Sequence, residues 1–318
     1  MENKADIVLY SGPARSANIV RALLGTRFAV EAVDAKPEPL LKVFKNCTVF
    51  LDASMKVPIS ADAIREAGNL RLIVAATTGA NHIDANALEE REIPLLTLKG
   101  QKEILRDLTP AAEHSWLLLM ACARRLRGAI RHVEAGSWER TEFPGLMLKG
   151  KTLGIVGVGR IGSWMARYAL AFGMNVQGFD PHVSDFPPGV SRVGLDELLA
   201  TSDFISIHVN LTPESRMMLT AEKIRAIRPG AVFINTSRGE LVDEDALVVA
   251  LREGRIASVG VDVLSAEPDV RSNSLWMYAQ ESDAVCITPH IGGFCPEAVD
   301  QVVTFSCHRI LEYFGVKG

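Results

Sequence analysis

A glycine-rich loop directly after a short apolar run is the feature that most restricts the fold of this 318-residue chain. The run is Leu153-Gly154-Ile155-Val156, and residues 157–162 that follow have the pattern G-x-G-x-x-G. In a chain with 25 glycines such a pattern arises easily by chance, and alone it predicts only a tight turn. Here a helix-forming segment, Trp164 to Phe172, comes next. The order of strand, glycine loop and helix is typical of a unit that binds a dinucleotide.

Each glycine of the loop has a separate physical reason. Gly157 makes the tight turn, Gly159 lets a pyrophosphate approach the backbone, and Gly162 lets helix and strand pack closely. The free amides and partial positive charge of the helix N-terminus attract the phosphates. The next strand ends at Asp180, whose carboxylate is placed to bind the ribose hydroxyls and to repel a 2′-phosphate. The loop predicts a Rossmann domain that holds NAD(H), although Asp180 before Pro181 is also an ordinary turn residue.

Short apolar runs recur on both sides of this loop and read as parallel strands buried on both faces. The predicted strands are Ile7–Tyr10, Thr48–Leu51, Leu72–Ala75, Pro94–Thr97, Thr152–Val156, Asn175–Phe179, Phe204–Val209, Ala231–Asn235, Ala257–Val261 and Ala284–Ile287. Their spacing leaves room for crossover helices. The fold class is therefore α/β, with two doubly wound parallel-sheet domains: a Rossmann NAD-binding domain and a smaller, flavodoxin-like substrate domain.

The length of the chain also favours two domains. We expect the substrate domain at residues 1–102 and 291–318, and the Rossmann domain at residues 103–290. The segment Pro296 to Phe314 has helical apolar spacing and is expected to cross back onto the first domain. A long helix is expected to begin near Thr109, capped by its hydroxyl, and the segment from Arg124 to Trp138 suits a connector or a partner-facing arm.

Composition excludes several classes of function. The formal net charge is −4, without a basic run long enough to track phosphates, so nucleic acid is not an expected partner. The longest apolar stretch, Trp116 to Ala123, is too short to span a bilayer. Met1 to Asp6 lacks the pattern of a secretory signal, which favours the cytoplasm. The five scattered cysteines have no CxxC spacing, so we expect reduced thiols and no metal site.

Three polar residues follow the predicted strands of the second series. Arg238 comes after Ala231–Asn235, Glu267 after Ala257–Val261, and His290 after Ala284–Ile287. Ligands of open parallel sheets bind beyond the carboxyl ends of the strands, so these side chains are expected to meet at one crevice. Each alone has an ordinary explanation, as a solvated turn residue, a carboxylate before proline or a loop histidine. Together, beside a nicotinamide site, they form a coherent reaction centre.

At these residues the sequence resembles the D-isomer-specific 2-hydroxy acid dehydrogenase family. The resemblance is carried by the glycine loop and by five further stretches, and it extends over nearly the whole chain. The stretches are Ala112-Glu113-His114, His208-Val209-Asn210-Leu211-Thr212, Asn235-Thr236-Ser237-Arg238-Gly239, Asp262-Val263 with Glu267-Pro268, and Thr288-Pro289-His290-Ile291-Gly292-Gly293.

The resemblance implies a catalytic set of Arg238, Glu267 and His290. Arg238 would hold the substrate carboxylate and polarise the 2-oxo group with its planar donor fork. His290 would give a proton to the carbonyl oxygen as hydride arrives from NADH. Glu267 would orient His290 and favour its imidazolium form. The expected reaction interconverts a small 2-oxo acid and its D-2-hydroxy acid.

The resemblance also implies further binding residues. Asp262 would touch the nicotinamide carboxamide, although it is also explained as a strand-end residue that supports the turn. The loop from Thr77 to His82, with Thr78 and Gly79, would receive the substrate carboxylate through its amides, unless it is only a loop of small residues packed on the next helix. The implied cofactor-binding residues are Gly157, Gly159, Arg160, Ile161, Gly162, Asp180, His208, Thr212, Thr236, Ser237, Asp262 and Gly292.

Some positions depart from the family pattern or leave alternatives open. Asn81 stands where the family commonly has aspartate, and Asn210 where it commonly has proline. Met55, Lys56 and Trp276 are candidates for the pocket of the substrate side group, or they are surface and packing residues. Glyoxylate, hydroxypyruvate and phosphoglycerate are the substrates considered, and a homodimer joined through the cofactor domain is expected from the family. A rival hypothesis is an NAD(H)-sensing, corepressor-like binding protein with little turnover.

Overall fold

The computed structural model describes residues 6–316 and divides the chain into two compact units. Unit 1 is residues 1–108 and 294–318, and unit 2 is residues 109–293. These boundaries lie a few residues from those expected at 102/103 and 290/291. Residues 1–5, within the segment in which no secretory signal was found, lie outside the described residues.

Unit 1 is built on one parallel sheet of five strands in the order β2-β1-β3-β4-β5. The strands are β1 (Ile7–Ser11), β2 (Ala29–Val33), β3 (Val49–Asp52), β4 (Leu72–Ala75) and β5 (Leu95–Leu96). The helices are α1 (Ala14–Leu24), α2 (Pro37–Phe44), α3 (Ala61–Glu66), α4 (Ala85–Glu90), α5 (Lys102–Arg106) and, after the chain returns from unit 2, α13 (Pro296–Tyr313). This strand order is that of flavodoxin-like folds.

Successive residues of the strands in unit 1 contribute to opposite faces of the sheet. Val8 and Tyr10 of β1 belong to the core cluster that includes α13, whereas Leu9 belongs to the cluster on the other face. A strand covered on both faces must be apolar at every position, which is why β1 reads as a continuous apolar run.

Unit 2 has a parallel sheet of seven strands in the order β12-β11-β10-β9-β6-β7-β8. The strands are β6 (Thr152–Val156), β7 (Asn175–Phe179), β8 (Val190–Arg192), β9 (Phe204–Ile207), β10 (Ala231–Asn235), β11 (Ile256–Val261) and β12 (Val285–Ile287). The helices are α6 (Pro110–Ala123), α7 (Leu126–Glu134), α8 (Arg160–Ala171), α9 (Leu195–Thr201), α10 (Ala221–Arg225), α11 (Glu244–Arg252) and α12 (Ser274–Glu281). Strand β6 lies where the strand order reverses, the position at which such sheets bind ligands.

The structure confirms the predicted fold class and adds two strands that the sequence did not predict. Both are edge strands: β2 has no fully buried residue, and β8 is only three residues long. Neither carries the buried apolar run that marks a central strand. Helix α8 also begins earlier than expected, at Arg160 inside the glycine pattern.

The expected hydroxyl cap of Thr109 is wrong. Thr109 precedes α6 with Pro110 at the first helical position, but its backbone is already helical and its side chain caps no amide. Its hydroxyl instead lies 2.5 Å from the carboxylate of Glu113, to which it donates. A threonine with helical backbone angles points its oxygen away from the amides that a cap must reach.

None of the five cysteines, all among the described residues, forms a disulfide, and Cys47, Cys122 and Cys307 are buried. Within residues 6–316, no helix combines the length and apolarity needed to cross a membrane. In the same residues no group of three histidine, cysteine, aspartate or glutamate side chains is arranged to hold a metal ion.

Candidate active site

Backbone conformation and crowding require glycine at two positions of the glycine loop. Gly157 has φ +92°, a left-handed conformation, and a Cβ on it would overlap the carbonyl of His208. A Cβ on Gly162 would overlap the carbonyl of Gly157. Gly159 differs, because a Cβ there would meet nothing within 4 Å. The space beside Gly159, at the N-terminus of α8, is therefore open.

Arg160 and Ile161 form the first turn of α8, directly after Gly159. Burial lowers the pKa of the Arg160 guanidinium, which nevertheless remains charged at neutral pH. The helix N-terminus adds its own partial positive charge. Open space, backbone amides and this charge together fit the pyrophosphate of a dinucleotide.

Asp180 follows β7 and ties the end of that strand to the glycine loop. Its Oδ2 accepts the backbone N–H of Val158 at 2.9 Å. Its Oδ1 accepts the N–H groups of His182 and Val183 at 2.8 and 3.2 Å. A carboxylate oxygen has two acceptor positions, so Oδ2 keeps one for a ribose hydroxyl.

His208 follows β9 and lies against the glycine loop. Its Nε2 lies 2.8 Å from the Ser206 hydroxyl, while Nδ1 is buried and has no hydrogen-bond partner among the described residues. Burial lowers the pKa of His208 to about 3, so its ring is neutral at physiological pH. An unpaired buried nitrogen at this place is a polar group that a ligand can satisfy. Thr212, four residues on, is exposed and hydrogen-bonds with Ser215.

Residues 235–239, the arginine turn, are held by side chains of the turn itself. Asn235 Nδ2 donates to the carbonyl of Arg238 at 2.8 Å, and Asn235 Oδ1 accepts the N–H of Ser237 at 3.0 Å. The Ser237 hydroxyl donates to the carbonyl of Ile207 on the neighbouring strand at 2.8 Å. The Arg238 side chain is half-buried and donates to the carbonyl of Ser237. The backbone from which Arg238 projects is thereby fixed.

Two further contacts hold the arginine turn from outside. The Thr236 hydroxyl lies 2.7 Å from the hydroxyl of Ser115 on α6. A Cβ on Gly239 would overlap the backbone of Ser265 in the loop that follows β11. Thr236 and Ser237, both expected at the cofactor, thus use their hydroxyl groups in structural contacts.

Glu267 and His290 are in direct contact. Glu267 lies in residues 264–268, the glutamate loop after β11, and His290 in residues 288–293, the histidine loop after β12. His290 Nδ1 lies 2.8 Å from Glu267 Oε1, and each side chain is 34% exposed. Arg238 follows β10, the strand next to β11 in the sheet. The three residues therefore follow three adjacent strands at one edge, while their catalytic roles stay predictions.

Asp262 supports the histidine loop with both oxygens of a carboxylate that is 2% exposed. Oδ1 accepts the Thr288 hydroxyl at 2.5 Å and the N–H of Ile291 at 2.9 Å, and Oδ2 accepts the N–H of Gly292 at 2.7 Å. His114 Nε2 lies 3.3 Å from Oδ1. Burial alone would raise the pKa of Asp262, but these four hydrogen bonds lower it.

These contacts match the alternative explanation of Asp262, a strand-end residue that supports the turn. Its contact with a nicotinamide carboxamide stays a prediction. Gly292, also expected at the cofactor, uses its amide to bind Asp262. A Cβ on Gly292 would lie 2.9 Å from Asp262 Oδ2, so this position admits only glycine without a shift.

Glu244 is a buried carboxylate that the sequence analysis missed. It accepts the backbone N–H of Ser265 at 3.1 Å, the Ser265 hydroxyl at 2.5 Å and the side-chain amide of Asn273 at 2.6 Å. Burial raises the pKa of Glu244, and these hydrogen bonds oppose the rise. Glu244 thereby holds the glutamate loop two residues before Glu267. Its position at the start of α11 reads in sequence only as an ordinary first-turn acid.

In unit 1, a buried pair joins the end of β3 to the loop after β4. Asp52 Oδ2 lies 2.7 Å from His82 Nε2, and these side chains are 3% and 10% exposed. Asp52 also accepts the N–H and hydroxyl of Ser54 and the N–H of Met55. Met55 has φ +56°, a strained value that these bonds support. No local pattern in the sequence marks this pair, because its members are 30 residues apart.

The expected substrate-binding residues of unit 1 lie on the surface of these loops. Thr78 and Lys56 are exposed and Gly79 is half-buried, and the Thr77 hydroxyl donates to the carbonyl of Gly79 at 2.7 Å. Trp276 lies on α12 in unit 2 and packs against a hydrophobic core cluster. The packing of Trp276 agrees with one of its two interpretations, and the exposure of Lys56 agrees with a surface position.

Comparison with known proteins gives two family matches. Residues 116–292 match the model described as D-isomer specific 2-hydroxyacid dehydrogenase, NAD binding domain. Residues 7–104 match the model described as D-isomer specific 2-hydroxyacid dehydrogenase, catalytic domain. Together the two segments cover most of both units.

Individual relatives agree with the family match. The chain is 34% identical to a hydroxypyruvate reductase of Thermotoga maritima, over 88% of this chain and 89% of the relative. It is 39% identical to a glyoxylate reductase of Korarchaeum cryptofilum, over 86% and 82%. The chain also spans about half the length of the D-3-phosphoglycerate dehydrogenases that it matches. All these relatives are named as reductases or dehydrogenases, which gives no support to the corepressor alternative.

A solved structure shows the same fold. The TT0316 protein from Thermus thermophilus superimposes with a TM-score of 0.84 and 30% identity, over 98% of each chain.

Proposed function

The chain belongs to the D-isomer specific 2-hydroxyacid dehydrogenase family, a family of NAD-dependent oxidoreductases, and we propose that it interconverts a small 2-oxo acid and its D-2-hydroxy acid. The observation that carries this proposal is the 2.8 Å contact between Glu267 and His290, at the sheet edge where Arg238 also emerges. An imidazole paired with a carboxylate is suited to move a proton at neutral pH.

The cofactor is NAD(H), and residues of unit 2 would hold it. Gly159 and the first turn of α8 would bind the pyrophosphate, and Asp180 would accept a hydrogen bond from the adenosine ribose. His208 would offer its buried Nδ1 as a polar contact. When bound, the nicotinamide supplies or accepts the hydride. The negative charge of Asp180 disfavours the 2′-phosphate of NADP(H).

The residues of the sheet edge would handle the substrate and its proton. Arg238 would bind the carboxylate of the substrate and polarise the 2-oxo group through a two-pronged hydrogen bond. His290, whose Nδ1 faces Glu267, would present Nε2 and give its proton to the carbonyl oxygen during reduction. In oxidation the same nitrogen would take the proton from the hydroxyl group. Glu267 would hold the ring and stabilise its positive charge.

The substrate class we propose is a short 2-oxo acid such as glyoxylate or hydroxypyruvate. Support comes from relatives named for these two compounds, matched over more than four-fifths of their length. The test is NADH oxidation, followed at 340 nm, against a panel of short, phosphorylated and branched 2-oxo acids. Rapid turnover of one or more short acids supports the proposal. Tight NADH binding without turnover of any member would refute it and favour a binding protein.

We also propose that the chain forms a homodimer through the arm of unit 2. Helix α7 exposes an apolar stripe of Leu126, Ile130 and Val133, each 43–51% exposed, and Trp138 just beyond the helix is 88% exposed. Exposed apolar patches of this kind mark protein–protein contacts. Analytical ultracentrifugation should give a dimer for the wild type and a monomer for Ile130→Glu. A monomeric wild type would refute this assembly.

A further inference from the structure

Helix α6 contacts two of the three loops that carry the proposed reaction centre. Ser115 reaches the arginine turn, where its hydroxyl lies 2.7 Å from that of Thr236. The preceding residue, His114, reaches the histidine loop, where Nε2 lies 2.8 Å from the Thr288 hydroxyl. The family resemblance singles out His114 without giving it a role. Its side chain is only 11% exposed, so a solvated surface histidine does not describe it.

The hydrogen bonds fix where the proton of His114 lies. Asp262 is a carboxylate and can only accept, so the Thr288 hydroxyl donates its single proton to Asp262 Oδ1 at 2.5 Å. The same hydroxyl must then accept from His114 Nε2. Nε2 of His114 therefore carries a hydrogen, which also points toward Asp262 Oδ1 at 3.3 Å.

The residue that this network supports is His290. His290 has φ +53°, a left-handed value that is unfavourable for a residue with a side chain. Its N–H donates to the backbone carbonyl of Asp262 at 2.9 Å, and the next two amides, of Ile291 and Gly292, donate to the Asp262 carboxylate. The His114 ring lies over Gly292, since a Cβ there would be 3.6 Å from His114 Cδ2. Asp262 thus holds the strained backbone through hydrogen bonds. Thr288 and His114 in turn hold the Asp262 carboxylate.

We propose that His114 is a positioning residue of the reaction. By donating to Thr288 and Asp262 it holds the histidine loop in the conformation that presents the His290 imidazole to the substrate. This inference rests on the proposed function, because His114 acts on turnover only through His290.

Two substitutions at His114 separate hydrogen bonding from bulk. His114→Leu removes the donor and keeps much of the volume, whereas His114→Gln keeps an N–H at about the reach of Nε2. Glu113→Gln, on the exposed face of the same turn, is the matched control. Thr288→Val, alone and combined with His114→Leu, completes a double-mutant cycle.

The first measurement is amide hydrogen exchange in the cofactor-free protein, which needs no turnover. His114→Leu should speed exchange of the Ile291 and Gly292 amides by about 10-fold, because their acceptor is less firmly held. Exchange in the sheet strands should stay at the wild-type rate. His114→Gln and Glu113→Gln should exchange as the wild type does.

The second measurement is steady-state reduction of glyoxylate and hydroxypyruvate by NADH. His114→Leu should lower kcat about 10-fold while the Kd for NADH, measured by fluorescence, changes less than about 2-fold. His114→Gln should restore most of kcat. Adding His114→Leu to Thr288→Val should lower kcat by less than the product of the two single losses, because both changes break one network of contacts.

Several results would overturn the inference. The inference fails if the Ile291 and Gly292 amides of His114→Leu exchange at the wild-type rate, or exchange faster while kcat stays at the wild-type value. It also fails if His114→Gln loses as much kcat as His114→Leu, or if the two losses are additive in the double mutant. Faster exchange in Glu113→Gln would assign the effect to α6 as a whole. If the wild type reduced none of the 2-oxo acids, the proposed function would fail on its own. The exchange rates would then still decide whether His114 holds the histidine loop.

Discussion

His290 Nδ1 lies 2.8 Å from Glu267 Oε1, in a pair whose members come from loops after adjacent strands. The two side chains are each about one-third exposed, so the pair is accessible to a small substrate and only partly screened by solvent. A partly exposed contact of this kind contributes little to folding, and the proposed role of Glu267 is to orient the ring. The pair can therefore be broken without unfolding the chain.

Substitution of His290 should abolish proton transfer and leave cofactor binding intact. For His290→Asn we expect kcat with NADH and glyoxylate or hydroxypyruvate to fall by about 10²–10⁴-fold, the usual contribution of a general acid. The Kd for NADH should stay within a few-fold of wild type, because His290 follows β12, which three strands separate from β6 and its glycine loop. Stopped-flow turnover and fluorescence titration measure the two quantities. Full activity in His290→Asn would remove it from the acid role.

Glu267→Gln tests the orienting partner separately. The amide can still meet Nδ1 but has no charge to stabilise the imidazolium, so kcat should fall less than in His290→Asn, on the order of 10-fold to 100-fold. In the double variant the loss should equal that of His290→Asn alone. Losses that multiply would show that Glu267 acts independently of His290.

Asp180 should determine the choice between NADH and NADPH. In Asp180→Ser the carboxylate that repels a 2′-phosphate is lost, and the ratio of kcat/KM for NADH over NADPH should fall by about 10-fold or more. Because Asp180 also accepts the amides of Val158, His182 and Val183, the variant should lose some NADH affinity as well. Asp180→Asn keeps a side-chain acceptor and serves as the control for this structural loss. An unchanged ratio in Asp180→Ser would defeat the assignment.

Much of the fold could be predicted because its central strands are apolar on both faces. A run such as Leu153–Val156 fits inside a parallel sheet, and backbone crowding requires Gly157 and Gly162 after it. The edge strands β2 and β8 were missed because exposed or short strands leave no such run.

The hydrogen-bond networks could not be predicted from sequence for a different reason. His114 meets Thr288 across 174 positions of the chain, and Glu244 meets Asn273 across 29. No periodic pattern links such residues. The family resemblance marks His114 and Thr288 without giving them a role, and Glu244 alone reads as an ordinary first-turn acid. The contacts that hold the predicted site residues in place became visible only in the folded structure.

His208 should make unit 2 sensitive to acid. Burial lowers the pKa of His208 to about 3, whereas histidine in an unfolded chain has a pKa of about 6.5. Between these values the unfolded chain binds the extra proton, so this residue costs stability as the pH falls from about 6.5 toward 3 and costs none above that range. His208→Gln cannot take up the proton. It should therefore lose less unfolding free energy than the wild type between pH 7.5 and pH 4.5.

Tryptophan fluorescence in urea is the measurement for His208, because all four tryptophans of the chain lie in unit 2. The exposed His182 provides the control, and His182→Gln should keep the wild-type pH dependence. If His208→Gln and the wild type lost stability in parallel over this range, Nδ1 of His208 would not be shielded from water as the structure has it.

Glu244 should give the unfolding free energy a pH dependence opposite in sign to that from His208. Burial raises the pKa of Glu244, so the folded chain holds a proton more tightly than the unfolded chain, in which the pKa is about 4.3. Between the unfolded and the raised pKa, the stability that this residue contributes grows as the pH falls. Above the raised pKa the cost of the buried charge is constant.

The variant Glu244→Gln tests this dependence. Its amide cannot take up the proton, and it places one N–H donor toward Ser265 and Asn273, whose own groups are donors. The variant should lose about 1–2 kcal/mol of unfolding free energy at pH 8. Its deficit against the wild type, measured by tryptophan fluorescence in urea, should widen as the pH is lowered from 8 to 5. A deficit that shrank over this range would mean that Glu244 is stabilised as a carboxylate, and that the bonds from Ser265 and Asn273 outweigh its burial.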